Sequence, residues 1–175
     1  MFWSRWSRGA RPAVEAGRAL YAAAAAQARD PGFYTGLAVP DTANGRFELY
    51  SLHVILLLHR LKGRGEAAAE AAQVLFDVYV QALDNTLREQ GVGDLSVPKK
   101  MRKLGEAFYG RVRSYDAALA DPAELPALVR RTVYADAEGP ADALAAYVLR
   151  ARDTLAAQPD AALLAGEAAW PEVRP

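Results

Sequence analysis

Residues 45–63 read GRFELYSLHVILLLHRLKG, and the apolar side chains of Phe47, Leu49, Leu52, Leu56 and Leu58 leave almost no polar side on the middle turns. A helix that is apolar all round must be buried, so this stretch is expected to be a central helix with others packed about it. Gly63 and Gly65 end it. His53 and His59 lie about 240° apart around such a helix and cannot form the one-face pair of a helical zinc site. Each is read as a packed or rim histidine.

Downstream of this helix, residues 66–90 place Glu66, Glu70, Gln73, Asp77, Gln81, Asp84 and Arg88 three or four positions apart, with Val74, Leu75, Val78 and Leu83 towards the other faces. That is the pattern of a long amphipathic helix, its acids on a solvated face. Upstream, an alanine-rich helix is expected from Pro12 to about Arg29, able to pack closely but with little area to bury. Between the two, FYTGLAVPDTANG reads as an ordered loop whose Phe33 and Tyr34 need an apolar place to sit.

Residues 87–115, LREQGVGDLSVPKKMRKLGEAFYGRVRSY, hold a helix exit, a glycine-flanked acidic turn and a new helix. Gly91 suits a left-handed helix terminus, and Pro98 suits a first turn that starts at Ser96 or Val97. Met101, Leu104, Phe108, Val112, Tyr115 and Leu119 form an unbroken stripe expected to be core. Lys99, Lys100, Arg102 and Lys103 crowd the first turns, where unpaired N–H groups and the helix dipole make cations least welcome. Gly105 and Gly110 each cost this helix about 1 kcal/mol relative to alanine, which points to close approach by another backbone or by a partner. Two further helices are expected, one through Leu125, Leu128, Val129 and Val133 and one through Leu144, Tyr147, Val148 and Leu155. No stretch alternates like a strand.

The 175 residues, 52% hydrophobic and 24% charged, suit one core. The expected fold is therefore all-α, a single compact domain of about six helices around the buried central one. A flexible basic and aromatic segment (1–11) precedes the helical domain (12–158), and a C-terminal tail (159–175) follows. No cysteine is present, which excludes disulfides, thiolate metal sites and thiol nucleophiles. No apolar run approaches the roughly 20 residues of a spanning helix, and the start lacks the core of a secretory signal.

Net charge is zero, yet residues 98–113 carry six cations against Glu106, while 114–175 carry ten acids against five arginines. An anionic partner is thus not excluded, although nothing calls for nucleic acid. Phe2, Trp3 and Trp6 interleave with Arg5 and Arg8, a composition suited to contact with an anionic membrane surface or to a frayed terminus whose rings fold back.

The runs FYTGLAVPDTANGRFELYSLHVILLLHRLKG and LFDVYVQALDNTLREQGVGDLSVPKKMRKLGEAFYGRVRSYDAAL resemble the ubiquinol-cytochrome c chaperone family, through the combined pattern PDT, GRFE, LH, LRE, GVGD, VPKK and AFYGR. The resemblance spans roughly residues 20–150. It implies a non-enzymatic assembly chaperone that binds newly made cytochrome b, without a cofactor, and leaves room for a small cochaperone. Eukaryotic members carry long targeting and accessory segments that this sequence lacks, so it looks bacterial and is expected in the cytoplasm, peripheral to the inner membrane.

On these grounds Gly91, Gly93, Asp94, Lys99, Lys100, Arg102, Lys103, Tyr109 and Arg111 are candidates for partner binding beside an apolar groove. Arg46, Glu48, His53, Asp84 and Arg88 are expected to form structural polar pairs between helices, because buried charge needs compensation. The competing expectation is a small-molecule or haem pocket gathering His53, Asp84, Arg88, Tyr109 and Arg111, although no haem-attachment motif is present. No catalytic or metal-binding residue is assigned.

Overall fold

A computed structural model describes residues 6–135 and 137–174, with side chains from Pro12 onward. The central element is α3 (Ala43–Leu61), whose middle turns from Leu49 to Leu57 are buried apart from the partly exposed Tyr50. Its start is fixed by Thr42, whose hydroxyl accepts from the Gly45 amide at 3.1 Å, an N-cap that satisfies one of the unpaired donors of the first turn. Any side chain at Gly45 would collide with the Pro40 carbonyl.

Around α3 pack α1 (Trp6–Gln27), α4 (Glu66–Glu89), α5 (Val97–Ala120) and α7 (Ala141–Ala157), while α6 (Leu125–Thr132) bridges α5 and α7. These six are the expected helices. Two short ones, α2 (Pro31–Thr35) and α8 (Asp160–Leu164), and a 3-10 turn before α6 complete the described residues, among which there is no strand.

The alanine-rich α1 lies close against α4. A Cβ at Gly17 would fall 2.6 Å from Val74 Cβ and 2.7 Å from the Ala71 carbonyl oxygen. Small side chains are what allow this approach, and Leu20, Ala24 and Ala28 join the core. Helix α1 begins at Trp6 and carries Pro12 inside it, rather than starting at Pro12. Phe2, Trp3 and Arg5 lie outside the described residues, as do the side chains of Trp6 and Arg8.

The expected loop at Phe33 is instead a single helical turn. Asp30 caps α2 by accepting from the Gly32 amide at 2.7 Å, and Pro31 pre-sets the first position. Phe33 is fully buried there. The tail is likewise structured: α8 sends Leu163 into the core, and the extended residues that follow lay Trp170 edge-on to His53, ring centroids 5.0 Å apart. Gln158 ties this strap down, its Oε1 accepting from the Ala169 amide at 2.8 Å.

Candidate functional site: the α4–α5 arm and its groove

The buried residues of α4 stop at Tyr79, and those of α5, apart from Val97, begin only at Phe108. The C-terminal half of α4 and the N-terminal half of α5 therefore form an antiparallel arm beyond the core. Met101 and Leu104 are only partly buried, so the expected core stripe is core from Phe108 onward and arm before it. The turn of the arm closes α4 with a Schellman motif: the Gly91 amide donates to the Arg88 carbonyl at 2.9 Å and the Val92 amide to the Leu87 carbonyl at 3.1 Å. Gly91 is left-handed, at φ +76°, as its place in the sequence predicts. Leu95 at the tip is 99% exposed.

Arg88 clamps this turn. Its guanidinium donates to Asp84 and to Asp94, both at 2.6 Å, and the hydrogen bond to Asp84 is the main reason its pKa is raised. Asp94 thus answers Arg88. Among the described residues Lys99, Lys100 and Lys103 make no ion pair, and Arg102 reaches Glu106 at 3.8 Å only. Three lysines stand exposed around the start of α5, with Gly93 open beside them.

Along α4 and α5 runs a groove made of two cavities, about 500 Å³ and 550 Å³, that meet at Phe76, the first of them walled also by the end of α3 through Ile55, Leu58 and His59. Its floor is Phe76, Phe108 and Val112 in one part and Val80, Val97 and Met101 in the other. Phe76 stacks on Phe108 and Tyr109 at 5.5 and 6.0 Å, and Tyr109 stays 58% exposed. One end is polar: His59 Nδ1 donates to Asp116 at 2.9 Å and Lys62 Nζ at 3.3 Å. Burial pushes the Asp116 carboxyl up, but these two donors outweigh it and hold it below its usual value. Sequence alone singles out neither Leu95 nor the floor residues as binding positions. Exposure of a leucine at a turn depends on how far two helices run past the core, which no local pattern encodes.

Two of the expected assignments change. Arg111, assigned to the partner surface, donates instead to Glu48 at 2.9 and 2.8 Å, joining α5 to α3. Glu48 is only 3% exposed, and a buried carboxylate demands a cation. The expected polar network also divides. Arg46 is exposed and pairs locally with Asp41, Asp84 pairs with Arg88 within α4, and only Glu48 and His53 make contacts between helices.

His53 is fully buried, its Nδ1–H donating to the Leu49 carbonyl at 2.7 Å and its Nε2 accepting from Tyr147 Oη at 2.9 Å, while Gln27 donates to Tyr147 at 3.1 Å. Burial pushes its pKa down to about 4. A pocket that gathers His53, Asp84, Arg88, Tyr109 and Arg111 is not formed, because His53 lies under Trp170 while Asp84 and Arg88 line the far part of the groove. Among the described residues no group of three His, Asp or Glu side chains could hold a metal. What the arm offers chemically is apolar area with a cationic margin.

Neither Gly105 nor Gly110 is approached: a Cβ at either position would meet nothing within 4 Å. The cost of both glycines therefore goes unanswered inside the molecule. Gly105→Ala and Gly110→Ala should each stabilise the fold by about 1 kcal/mol in urea titrations; a loss of stability would reveal contacts that the open space denies.

The sequence profile of the family described as ubiquinol-cytochrome C chaperone matches residues 35–170. Among curated proteins, ubiquinol-cytochrome-c reductase complex assembly factor 1 of Xenopus laevis is 25% identical over 87 residues, 50% of this chain and 44% of that protein. The corresponding factor of Mus musculus is 27% identical over 103 residues, 58% of this chain and 35% of its own. The matched region thus spans less than half the length of either relative. A crystal structure of the Cbp3 homolog from Brucella abortus superposes with a TM-score of 0.88 at 40% identity, over 99% of this chain and 98% of that one.

Proposed function

The chain belongs to the ubiquinol-cytochrome c chaperone family, and from that premise we propose that it is a non-enzymatic assembly chaperone that holds newly made cytochrome b for ubiquinol-cytochrome c reductase biogenesis. The α4–α5 arm is the holding surface. One observation carries this reading: among the described residues Lys99, Lys100 and Lys103 stand exposed and without an ion pair beside an open apolar groove, and neither feature helps the chain to fold. Cations at a helix start work against the dipole, and an open apolar groove forgoes burial.

The same lysines would also draw the arm to an anionic leaflet, each contributing about 1 kcal/mol near the surface and screened by salt. No helix among the described residues is long and apolar enough to cross a membrane, and peripheral contact at the inner face is the arrangement that delivers a chaperone to a membrane-embedded client.

The test is charge reversal at Lys99, Lys100, Arg102 and Lys103, read by crosslinked capture of cytochrome b from cells that make it, with circular dichroism as the folding control. Capture should drop by about tenfold or more. Native spectra with undiminished capture would remove the basic entrance from the mechanism, and absence of cytochrome b and reductase subunits from the wild-type capture would overturn the function.

A further inference from the structure

The groove has a length, a floor and two ends, and together they say what kind of segment fits it. On α5 it runs from Pro98 to Asp116, about 27 Å at 1.5 Å per residue. That is close to the roughly 30 Å hydrocarbon thickness that a spanning helix of about 20 residues must cross. The middle is apolar, through Val80, Phe76 and Met101 on to Phe108 and Val112. Charge collects at the two ends, with Lys62, His59 and Asp116 at one and Asp84 with Arg88 at the other, and each end holds both a donor and an acceptor.

Gly105 lies one turn from Met101, which lines one cavity, and one turn from Tyr109, which lines the other, on the stretch of α5 between the two. Its missing side chain faces open space. In apolar helix pairs, glycine at the crossing point lets two backbones come close and gain dispersion contacts, which matters most where no water is displaced.

We infer that the α4–α5 groove receives one apolar helix of membrane-spanning length from the client, laid along the seam with its closest crossing at Gly105 and its polar flanks at the charged ends. This rests on the reading of the arm as the client-holding surface. The match is one of charge placement: a spanning helix is apolar over its middle and polar at both interfaces, as this groove is. The groove then shields one face of such a helix from water before insertion, while Gln73, Asp77 and Gln81 form a polar rim on the α4 side.

The probe is a fluorescent leucine–alanine peptide of about 20 residues with lysine flanks, set against one of about ten, each titrated in mild detergent with the full chain. The longer peptide should bind at least about tenfold tighter, and Gly105→Leu should weaken it by about tenfold, while Gly110→Ala, on the opposite side of α5, changes nothing. Equal binding of the short peptide, or no effect of Gly105→Leu, would overturn the inference, as would sedimentation showing the groove filled by a second copy of the chain.

Capture of cytochrome b by the same variants separates this claim from the functional one. If wild type captures the client and Gly105→Leu and Val80→Asp still do, the groove assignment fails and the chaperone reading stands. If wild type captures none, the chaperone reading itself fails, whatever the peptide does.

Discussion

Replacing Arg111 with alanine should destabilise the protein by about 3–5 kcal/mol, the cost of leaving a buried carboxylate without its partner. Glu48 enters the core from α3 and receives two hydrogen bonds from the Arg111 guanidinium, at 2.9 and 2.8 Å, and little else near it carries charge. The hydrogen bonds to Glu48 raise the Arg111 pKa, which keeps the guanidinium charged. Equilibrium urea unfolding measures the loss. A second variant isolates its cause: Glu48→Met together with Arg111→Met should recover most of the stability, because a packed apolar pair often matches a buried ion pair. A single-variant loss below about 1 kcal/mol would mean that water reaches Glu48 when the arginine is gone.

The second large effect is acid sensitivity from His53. Its folded pKa of about 4 lies below the unfolded value near 6.5, so as pH falls the unfolded chain takes up the proton first. Stability contributed by neutral His53 is therefore complete above about pH 6.5 and is lost progressively down to about pH 4. The loss is about 2 kcal/mol by pH 5 and on the order of 3 kcal/mol at the end of the window. Carboxylates barely titrate between pH 7 and 5, which makes that interval diagnostic. His53→Gln should flatten the stability profile there; a profile as steep as that of wild type would assign the slope to another group.

Both results bear on what the sequence disclosed. The apolar circumference of residues 45–63, the spacing of the polar positions in 66–90, and the pairing of Gly91 with Pro98 each announce an element through chemistry local to it. The six principal helices follow from such signals. Arg111 was legible too, since it sits three residues after Phe108 and four before Tyr115, on their face of the helix. A buried Glu48 in an otherwise apolar helix was asking for a cation, and the periodicity could have supplied one.

The partners of His53 were not legible. Tyr147 and Trp170 come from distant parts of the chain, and only the packing of α7 and the C-terminal strap brings them to the imidazole. The arm escaped for a related reason. The stripe from Met101 to Leu119 is continuous in sequence, but burial depends on where the neighbouring helices stop, and the first half of the stripe has α4 as its companion with no core beneath.

The fully exposed Leu95 and the open groove have a colloidal consequence. A protein that leaves apolar surface uncovered commonly relies on excess charge of one sign to hold its copies apart, and this chain has a net charge of zero with an isoelectric point near 6.7. Close to neutral pH no net charge holds two copies apart, and only the lysines at the start of α5 oppose the meeting of two arms. Its solubility should therefore be lowest near its own isoelectric point, and the most economical remedy is a carboxylate at Leu95, where a side chain touches solvent alone.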